Sequence, residues 1–178
     1  LVAIIAQSAQ AFLERRSRGT APVLARNHIV ICEYTAIADE LIQSLPGCAD
    51  LADKPVAIVS DLVSRNPYPE HFFVHGVPLN PAALRLANVP AADVVFVFAN
   101  LRFADPDVKT MHIASRALDL NPAARVYVEL ISPESDLVKE APSNIVVMDS
   151  RTLVRQVLRR EKIDPSNWNN PKEETEDR

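Results

Sequence analysis

The chain has 178 residues, 48% of them hydrophobic, which is enough for one α/β domain with appendages. Its formal net charge of −4 gives no electrostatic basis for binding nucleic acid. Glycine is scarce at 3 residues and proline plentiful at 14, which disfavours a glycine-lined phosphate loop. Cys32 and Cys48 belong to no metal-binding spacing, so two reduced thiols are expected rather than a zinc site.

Residues 1–18 are apolar and then abruptly basic, ending in Arg15, Arg16 and Arg18. The apolar part is too short to cross a bilayer, which needs about 20 residues. It also lacks the basic start of a signal peptide. Two interpretations stay open: the cytoplasmic end of a membrane helix with a positive-inside flank, or an amphipathic helix that docks on a neighbouring domain. Residues 19–26 are predicted to be a linker.

Residues 27–61 predict the first unit of a dinucleotide-binding sheet. An apolar β-branched run at 28–32 predicts a buried strand, and a helical pattern follows from Ala36 to Leu45. A second apolar run at 56–59 ends in Ser60 and Asp61. Strand, crossover helix and strand with an acid at the end is the arrangement that opens such sheets. At the three fingerprint glycine positions, however, the chain has Glu33, Thr35 and Ala38.

The rest of the chain continues the alternation of strands and helices. Predicted strands cover 72–75, 94–98, 126–131 and 144–148, and predicted helices cover 82–87, 105–120, 133–140 and 150–161. This pattern predicts a doubly wound parallel six-stranded α/β sheet, Rossmann-like, in the order 3-2-1-4-5-6. The predicted organisation is a helix at 1–18, a linker at 19–26, the domain at 27–149, a helix at 150–162 and a disordered tail at 163–178.

The helix predicted over 105–120 carries two apolar faces. Val108, Met111 and Leu118 are assigned to the inner stripe, and Ile113, Ala117 and Leu120 to a second face that could contact another subunit. The predicted helix at 150–161 also has one apolar face, which includes Leu153 and Val157. It would be exposed on an isolated domain, so we expect it to pack on a partner chain.

Three stretches resemble the N-terminal lobe of the regulator-of-potassium-conductance (RCK, or TrkA-N) family. They are NHIVICEY with its crossover helix, FFVHGVPLNPAALRLANVPAADVVFVFAN, and the long helix leading into ARVYVEL. The preceding LVAIIAQSAQAFLERRSRG is similar to the end of a pore-lining helix with its linker. The resemblance implies a cytosolic, ligand-sensing domain that gates a potassium channel. The sequence itself offers no nucleophile–base pair and no carboxylates spaced for acid/base catalysis, so no enzymatic activity is expected. It further implies a ring of like subunits, paired through the helices at 105–120 and 133–140, a membrane pore on the N-terminal side, and a place at the cytoplasmic face of the membrane.

The candidate ligand cleft lies at the carboxyl edge of the predicted sheet. Its candidate residues are Glu33, Tyr34, Thr35, Asp61, His75 and Asn100. Glu33 would bring a carboxylate towards the phosphates of a dinucleotide, and two like charges at about 4 Å repel by about 1 to 4 kcal/mol. Tight NAD binding is therefore not expected, whereas an adenine nucleotide or a divalent cation stays open as the ligand.

Calcium is the cation that the resemblance suggests, through Glu129 on the fifth predicted strand. Calcium prefers six to eight oxygen ligands, and the neighbouring positions are Phe98 and Ile131. A different acidic cleft, built from Glu33 and Asp61, is the alternative. Two further functions also stay open: a regulatory nucleotide-binding subunit of a Trk- or Kef-type potassium transporter, and a degenerate NAD-dependent oxidoreductase.

Overall fold

The computed structural model describes residues 2–132 and 142–149. Its helices are α1 (Val2–Ser17), α2 (Ala36–Ser44), α3 (Pro81–Leu86) and α4 (Pro106–Leu120). Its strands are β1 (His28–Cys32), β2 (Val56–Ser60), β3 (Phe72–His75), β4 (Ala92–Val97), β5 (Arg125–Leu130) and β6 (Ile145–Asp149). The predicted helix at 133–140, the helix at 150–162 and the tail at 163–178 lie outside the described residues.

The six strands form one parallel sheet in the order β3-β2-β1-β4-β5-β6, as predicted. β1 and β2 are buried along their whole length, because helices cover the central strands on both faces. α2 packs on one face, and α3 and α4 pack on the other. The fold class is therefore confirmed as doubly wound and Rossmann-like.

Helix starts follow their sequence signals. Thr35, Asn80 and Asp105 are N-caps whose side-chain oxygens accept hydrogen bonds from backbone amides in the first turn. Pro81 and Pro106 follow two of these caps at the first helical position, where a missing amide hydrogen costs nothing. The helices therefore begin where the sequence predicted, within one residue.

The prediction for the inner face of α4 was wrong. Ile113 and Ala117, assigned to a second face, are fully buried against the sheet. Val108, Met111 and Leu118, assigned to the inner stripe, are only half-buried. The stripe that faces the sheet also includes Thr110 and Ala114, and at its N-terminal end it includes the charged residue Lys109. Met111 and Leu118 pack partly against the same core, so the half-buried stripe leaves only part of its apolar surface for a neighbour.

The segment predicted as a linker is docked on the domain. The amide of His75, on the edge strand β3, donates to the carbonyl of Gly19 at 3.0 Å. Further along, the amide of Val23 donates to Leu86 O at 2.8 Å, and the Val23 side chain is buried in the core. Residues 19–26 are therefore tied to the sheet edge and to α3 rather than passing free through solvent.

Helix α1 ends against the same edge. The guanidinium of Arg16 lies 5.1 Å from the centroid of the Phe72 ring, in a cation–π contact. The carbonyl of Ser17 accepts from the amide of Asn66 at 2.9 Å. Within residues 2–132 and 142–149, no helix has both the length and the apolar character needed to span a membrane. The C-terminal turn of α1 thus contacts the domain.

Candidate functional site

The site lies where β1 and β4 run side by side at the centre of the sheet. From this switch point the chain winds outwards in opposite directions, and ligands of such sheets bind outside the carboxyl ends of the strands. Glu33 follows β1 directly, and Asn100 comes three residues after β4. The sequence analysis placed both side chains in the cleft, and the structure brings them together.

Glu33 has a backbone φ of +68°, the left-handed conformation that glycine adopts without cost. Its side chain is fully buried. One carboxylate oxygen, Oε1, lies 2.5 Å from Nζ of Lys109, and the other, Oε2, accepts from Nδ2 of Asn100 at 3.2 Å. The carboxylate that the sequence placed in the cleft is therefore turned inwards to partners of its own chain.

Lys109 belongs to the first turn of α4 and is nearly as buried as Glu33. Its ammonium group also lies 3.5 Å from the centroid of the Phe103 ring, a cation–π contact with a residue that is itself 44% exposed. The pair joins the end of β1 to the start of α4, across 76 residues of sequence. It bridges the two halves of the sheet at the switch point.

Burial is the main influence on Glu33. Loss of hydration raises the pKa of its carboxyl group, the hydrogen bond and charge of Lys109 oppose that rise, and the charge of Asp61 adds to it. A residue other than glycine at positive φ costs about 1–2 kcal/mol. Removing one partner of a buried ion pair costs about 3–5 kcal/mol, because it leaves the other charge uncompensated. The ion pair therefore stabilises the positive-φ backbone conformation of Glu33, which a residue other than glycine would otherwise avoid.

The loop between β1 and α2 uses its backbone donors internally. The amide of Glu33 donates to Val59 O at 2.9 Å, and that of Tyr34 donates to the buried hydroxyl of Ser60 at 3.1 Å. At the start of α2, Oγ1 of Thr35 accepts from the amide of Ala38 at 3.3 Å. These amides are of the kind that would cradle a phosphate in a glycine-rich loop, and here they are already bonded within the chain.

The Tyr34 side chain points along α2 into a small polar cluster. Its hydroxyl and that of Tyr68 both bond Oδ1 of Asp39, the second at 2.7 Å. Nε2 of Gln43 donates to the other oxygen of Asp39 at 2.8 Å. The hydrogen bond from Tyr34 is the largest influence on Asp39 and that from Tyr68 the next, and both lower the pKa of its carboxyl group. The cluster fastens the loop after β2 to α2.

Glu129 lies on β5 beside the buried pair but is separately engaged. It is 4% exposed, and its Oε2 accepts from the amide of Ala99 at 3.0 Å. Burial is the main reason that the pKa of Glu129 is raised, and the charge of Asp107 adds to the rise. Asp107 itself accepts from the amides of Ile131 and Ser132, each at 2.8 Å. Asp107 thus holds α4 to the end of β5, and Glu129 holds β5 to the segment that follows β4.

A calcium site finds no support among these acids. Glu129 and Asp107 already accept bonds from backbone amides, and Glu33 is paired with Lys109. Across residues 2–132 and 142–149, no group of three or more histidine, cysteine or acidic side chains could hold a metal ion. The alternative acidic cleft of Glu33 and Asp61 is not formed either, because Asp61 is exposed whereas the Glu33 carboxylate is buried and cannot reach a cation in the cleft.

His75 lies away from the switch point. It is on β3, which β2 and β1 separate from β4, and its side chain is exposed beside the Phe73 ring at 6.2 Å. Through its backbone amide, His75 binds the Gly19 carbonyl and so helps to fix the linker on β3. Of the candidate cleft residues, the structure thus groups Glu33 with Asn100 and places His75 at the linker.

A small cavity occupies a different part of the sheet. Its volume is about 220 Å³, and its lining includes Cys48, Leu51, Val94, Phe96, Arg125 and Tyr127. Val94 and Arg125 lie near the amino ends of β4 and β5, so the cavity is remote from the carboxyl edge. It is smaller than the 300–1,000 Å³ typical of small-molecule sites.

Sequence reasoning missed Lys109, Ser60 and Phe103. A signal for Lys109 existed, because it lies four residues before Ile113 and eight before Ala117 on the buried stripe of α4. Ser60 carried only the weak signal of being the last residue before Asp61. No pattern in the sequence indicated Phe103, whose role depends on where Lys109 lies.

Comparison with known proteins supports the fold. No protein-family model matches the sequence, and no curated protein matches it significantly. Among solved structures, the TrkA-N domain of the inner membrane protein ybaL from Escherichia coli has 21% identity and a TM-score of 0.60, with 77% of this chain and 98% of that domain covered. The GsuK channel bound to NAD has 20% identity and a TM-score of 0.63, over 88% of this chain.

A third match is GsuK bound to ADP, at 17% identity and a TM-score of 0.53, over 78% of this chain and 37% of that one. This chain spans only 28% of the NAD-bound GsuK channel, but nearly the whole of the TrkA-N domain. The chain therefore has the fold of the TrkA-N and RCK domains.

The residues at the switch point do not fit the dinucleotide that this fold implies. A dinucleotide loop needs a small residue for its tight turn and a second one where the backbone approaches the pyrophosphate. Here Glu33 and Thr35 occupy those places, and the amides of Tyr34 and Ala38 are bonded to Ser60 and Thr35. The chain's own side chains thus already bond two of the amides that such a loop would offer to a phosphate.

Proposed function

We propose that this chain is the cytoplasmic regulatory domain of a potassium channel and acts on the pore through α1 and the linker, without catalysis. The observation that carries the proposal is the docking of the linker on the edge strand, where His75 donates to the Gly19 carbonyl. A free linker would absorb any movement of the domain, whereas a docked one transmits it. The shared fold with a channel's RCK domain supports the assignment.

A continuous set of bonds connects this linker to the switch point. Gly19 binds the amide of His75, and the next amide, that of Gly76, donates to Ser60 O at 3.2 Å. The Ser60 hydroxyl in turn accepts from the amide of Tyr34, next to the buried pair. A change at the end of β1 can therefore reach the linker through two adjacent strands, although coupling must be demonstrated by perturbing both ends.

Assembly into a ring of like subunits at the cytoplasmic face of the membrane completes the proposal. The matched GsuK structures are of a channel, and the half-buried stripe of Val108, Met111 and Leu118 on α4 suits a neighbouring subunit. Sedimentation at increasing concentration tests this contact. Self-association that is lost on replacing Met111 with glutamate supports it, and a monomer at all concentrations refutes it.

A second candidate is a regulatory subunit of a Trk- or Kef-type potassium transporter. It is favoured by the match to nearly the full length of a TrkA-N domain from an inner membrane protein. The two candidates differ in how ions cross the membrane. Unitary currents from the natural protein in planar bilayers indicate a channel, whereas flux that requires a coupled ion or a separate membrane subunit indicates a transporter.

Ion flux tests the function shared by both candidates. The natural protein that contains this chain should be reconstituted in liposomes loaded with potassium, and uptake of radioactive rubidium measured. We expect rubidium uptake that changes when the chain is altered at the linker. Rubidium uptake no faster than in empty liposomes would refute both potassium-related candidates.

A further inference from the structure

The switch point holds a feature that a phosphate-binding loop would exclude. The carboxylate at the first fingerprint position is fully buried and neutralised by an ammonium group from the opposite half of the sheet. A hydrogen bond from Asn100 and the overlying Phe103 ring complete the enclosure. The pair satisfies both the carboxylate and the ammonium group within the chain, through a charge-assisted hydrogen bond.

We propose that the Glu33–Lys109 pair takes the place of a nucleotide's phosphate in this domain, and that Glu33, more than Thr35 at the second fingerprint position, prevents an adenine nucleotide from binding. Lys109 already has an anionic partner, so a phosphate must displace a carboxylate covalently tied to the same chain. The displaced Glu33 would then bring its negative charge to the phosphate.

This inference depends only on the geometry at the switch point, not on the potassium-related role. It predicts that removing the Glu33 side chain creates a nucleotide site. Glycine adopts positive φ freely, so Glu33→Gly leaves the turn intact and leaves Lys109 without its partner. Lys109 is then a buried cation beside the loop that leads from β1 into α2, an arrangement that favours a phosphate group.

Thermal-shift assays and calorimetry with NAD, ADP and AMP test the proposal. At about 5 mM nucleotide, the wild-type chain should shift its melting temperature by less than about 1 °C, whereas Glu33→Gly should gain roughly 5 °C with at least one nucleotide. Adding Lys109→Met to Glu33→Gly should abolish the gain. The near-isosteric Glu33→Gln should stay unresponsive, because its side chain still fills the space. Circular dichroism establishes that each variant is folded.

Several outcomes would overturn the proposal. One is a wild-type chain that binds any of these nucleotides as tightly as Glu33→Gly does. Another is a folded Glu33→Gly chain with no nucleotide response. Should Glu33→Gly fail to fold, Glu33→Asn replaces it, because asparagine tolerates positive φ with a shorter side chain. If inorganic phosphate raises the melting temperature of Glu33→Gly as much as a nucleotide does, the proposal also fails, because that result would indicate a simple anion site.

Discussion

Replacing Gly19 with alanine tests whether the linker is held to the sheet. Gly19 has φ of +68°, and a Cβ atom there would lie 2.3 Å from the His75 backbone nitrogen and 2.8 Å from Cδ1 of Phe73. Real Cβ contacts are not that short, so either the linker or the edge strand must move. Since β3 is paired with β2 and Phe73 is buried in the core, we expect the linker to move.

The free-energy cost of Gly19→Ala to linker docking has two contributions. Positive φ costs alanine about 1–2 kcal/mol, and losing the hydrogen bond from His75 to Gly19 costs about 1 kcal/mol. A total of about 2–3 kcal/mol raises the population of the undocked linker by roughly 30- to 150-fold. The effect should be local, because the hydrophobic core does not depend on this contact.

Hydrogen exchange at the His75 amide measures this opening, since that amide is protected by the Gly19 carbonyl. In Gly19→Ala the amide should exchange roughly 30-fold faster or more, while amides of β1 keep their rates. Gly47→Ala is the matched control, because a Cβ at Gly47 has no atom within 4 Å. The reasoning fails if the two variants exchange the His75 amide equally slowly.

Two further predictions concern buried charge. Lys109→Met should lower the free energy of unfolding by about 3–5 kcal/mol in urea at pH 7. Part of that loss should be regained as the pH is lowered, because burial raises the pKa of the Glu33 carboxyl group and the variant lacks the ammonium group that opposes the rise. Lys54→Met, which breaks only a partly exposed bridge, should cost about 1 kcal/mol or less, and an equal loss in both would contradict this account. For the buried His28, desolvation lowers the pKa, while its bond to Ala87 O opposes that shift. The unfolded chain therefore gains a proton first as the pH falls below about 6.5, and stability is lost. Between pH 7.5 and 5, the free energy of unfolding of His28→Gln should fall by less than that of wild type. An equal fall in the two proteins would refute this prediction.

The fold could be predicted because its signals are local. Continuous β-branched runs and capped helices occur within a few residues of one another, as in β1 with its following helix and in Asn80 with Pro81. The parallel order then follows from alternation and the handedness of crossovers. None of these steps requires knowing which distant residues meet.

The site could be predicted only in part, because its chemistry depends on a long-range pair. The sequence placed Glu33 and Asn100 at the same edge, but the direction of the Glu33 side chain depends on Lys109, 76 residues away. Drawing the inner stripe of α4 from hydrophobic residues alone left Lys109 out. A lysine in register with Ile113 was the available indication that this helix buries a charge at its first turn.

The linker shows a second limit of local reasoning. Glycine and proline at 19–22 are typical of an irregular connection, and the backbone there is indeed irregular. Whether such a segment is free or docked depends on close approach, which a sequence pattern does not encode. Gly19 is required because the His75 amide approaches it, and that amide belongs to a strand more than fifty residues later.

The most direct test of the regulatory role is rubidium flux through the natural protein carrying Gly19→Ala, compared with the same protein carrying Gly47→Ala. If the domain acts through its docked linker, Gly19→Ala should change the flux at equal protein density, and Gly47→Ala should not. Identical flux in both variants and in wild type, with the His75 amide shown to be deprotected in Gly19→Ala, would contradict the account.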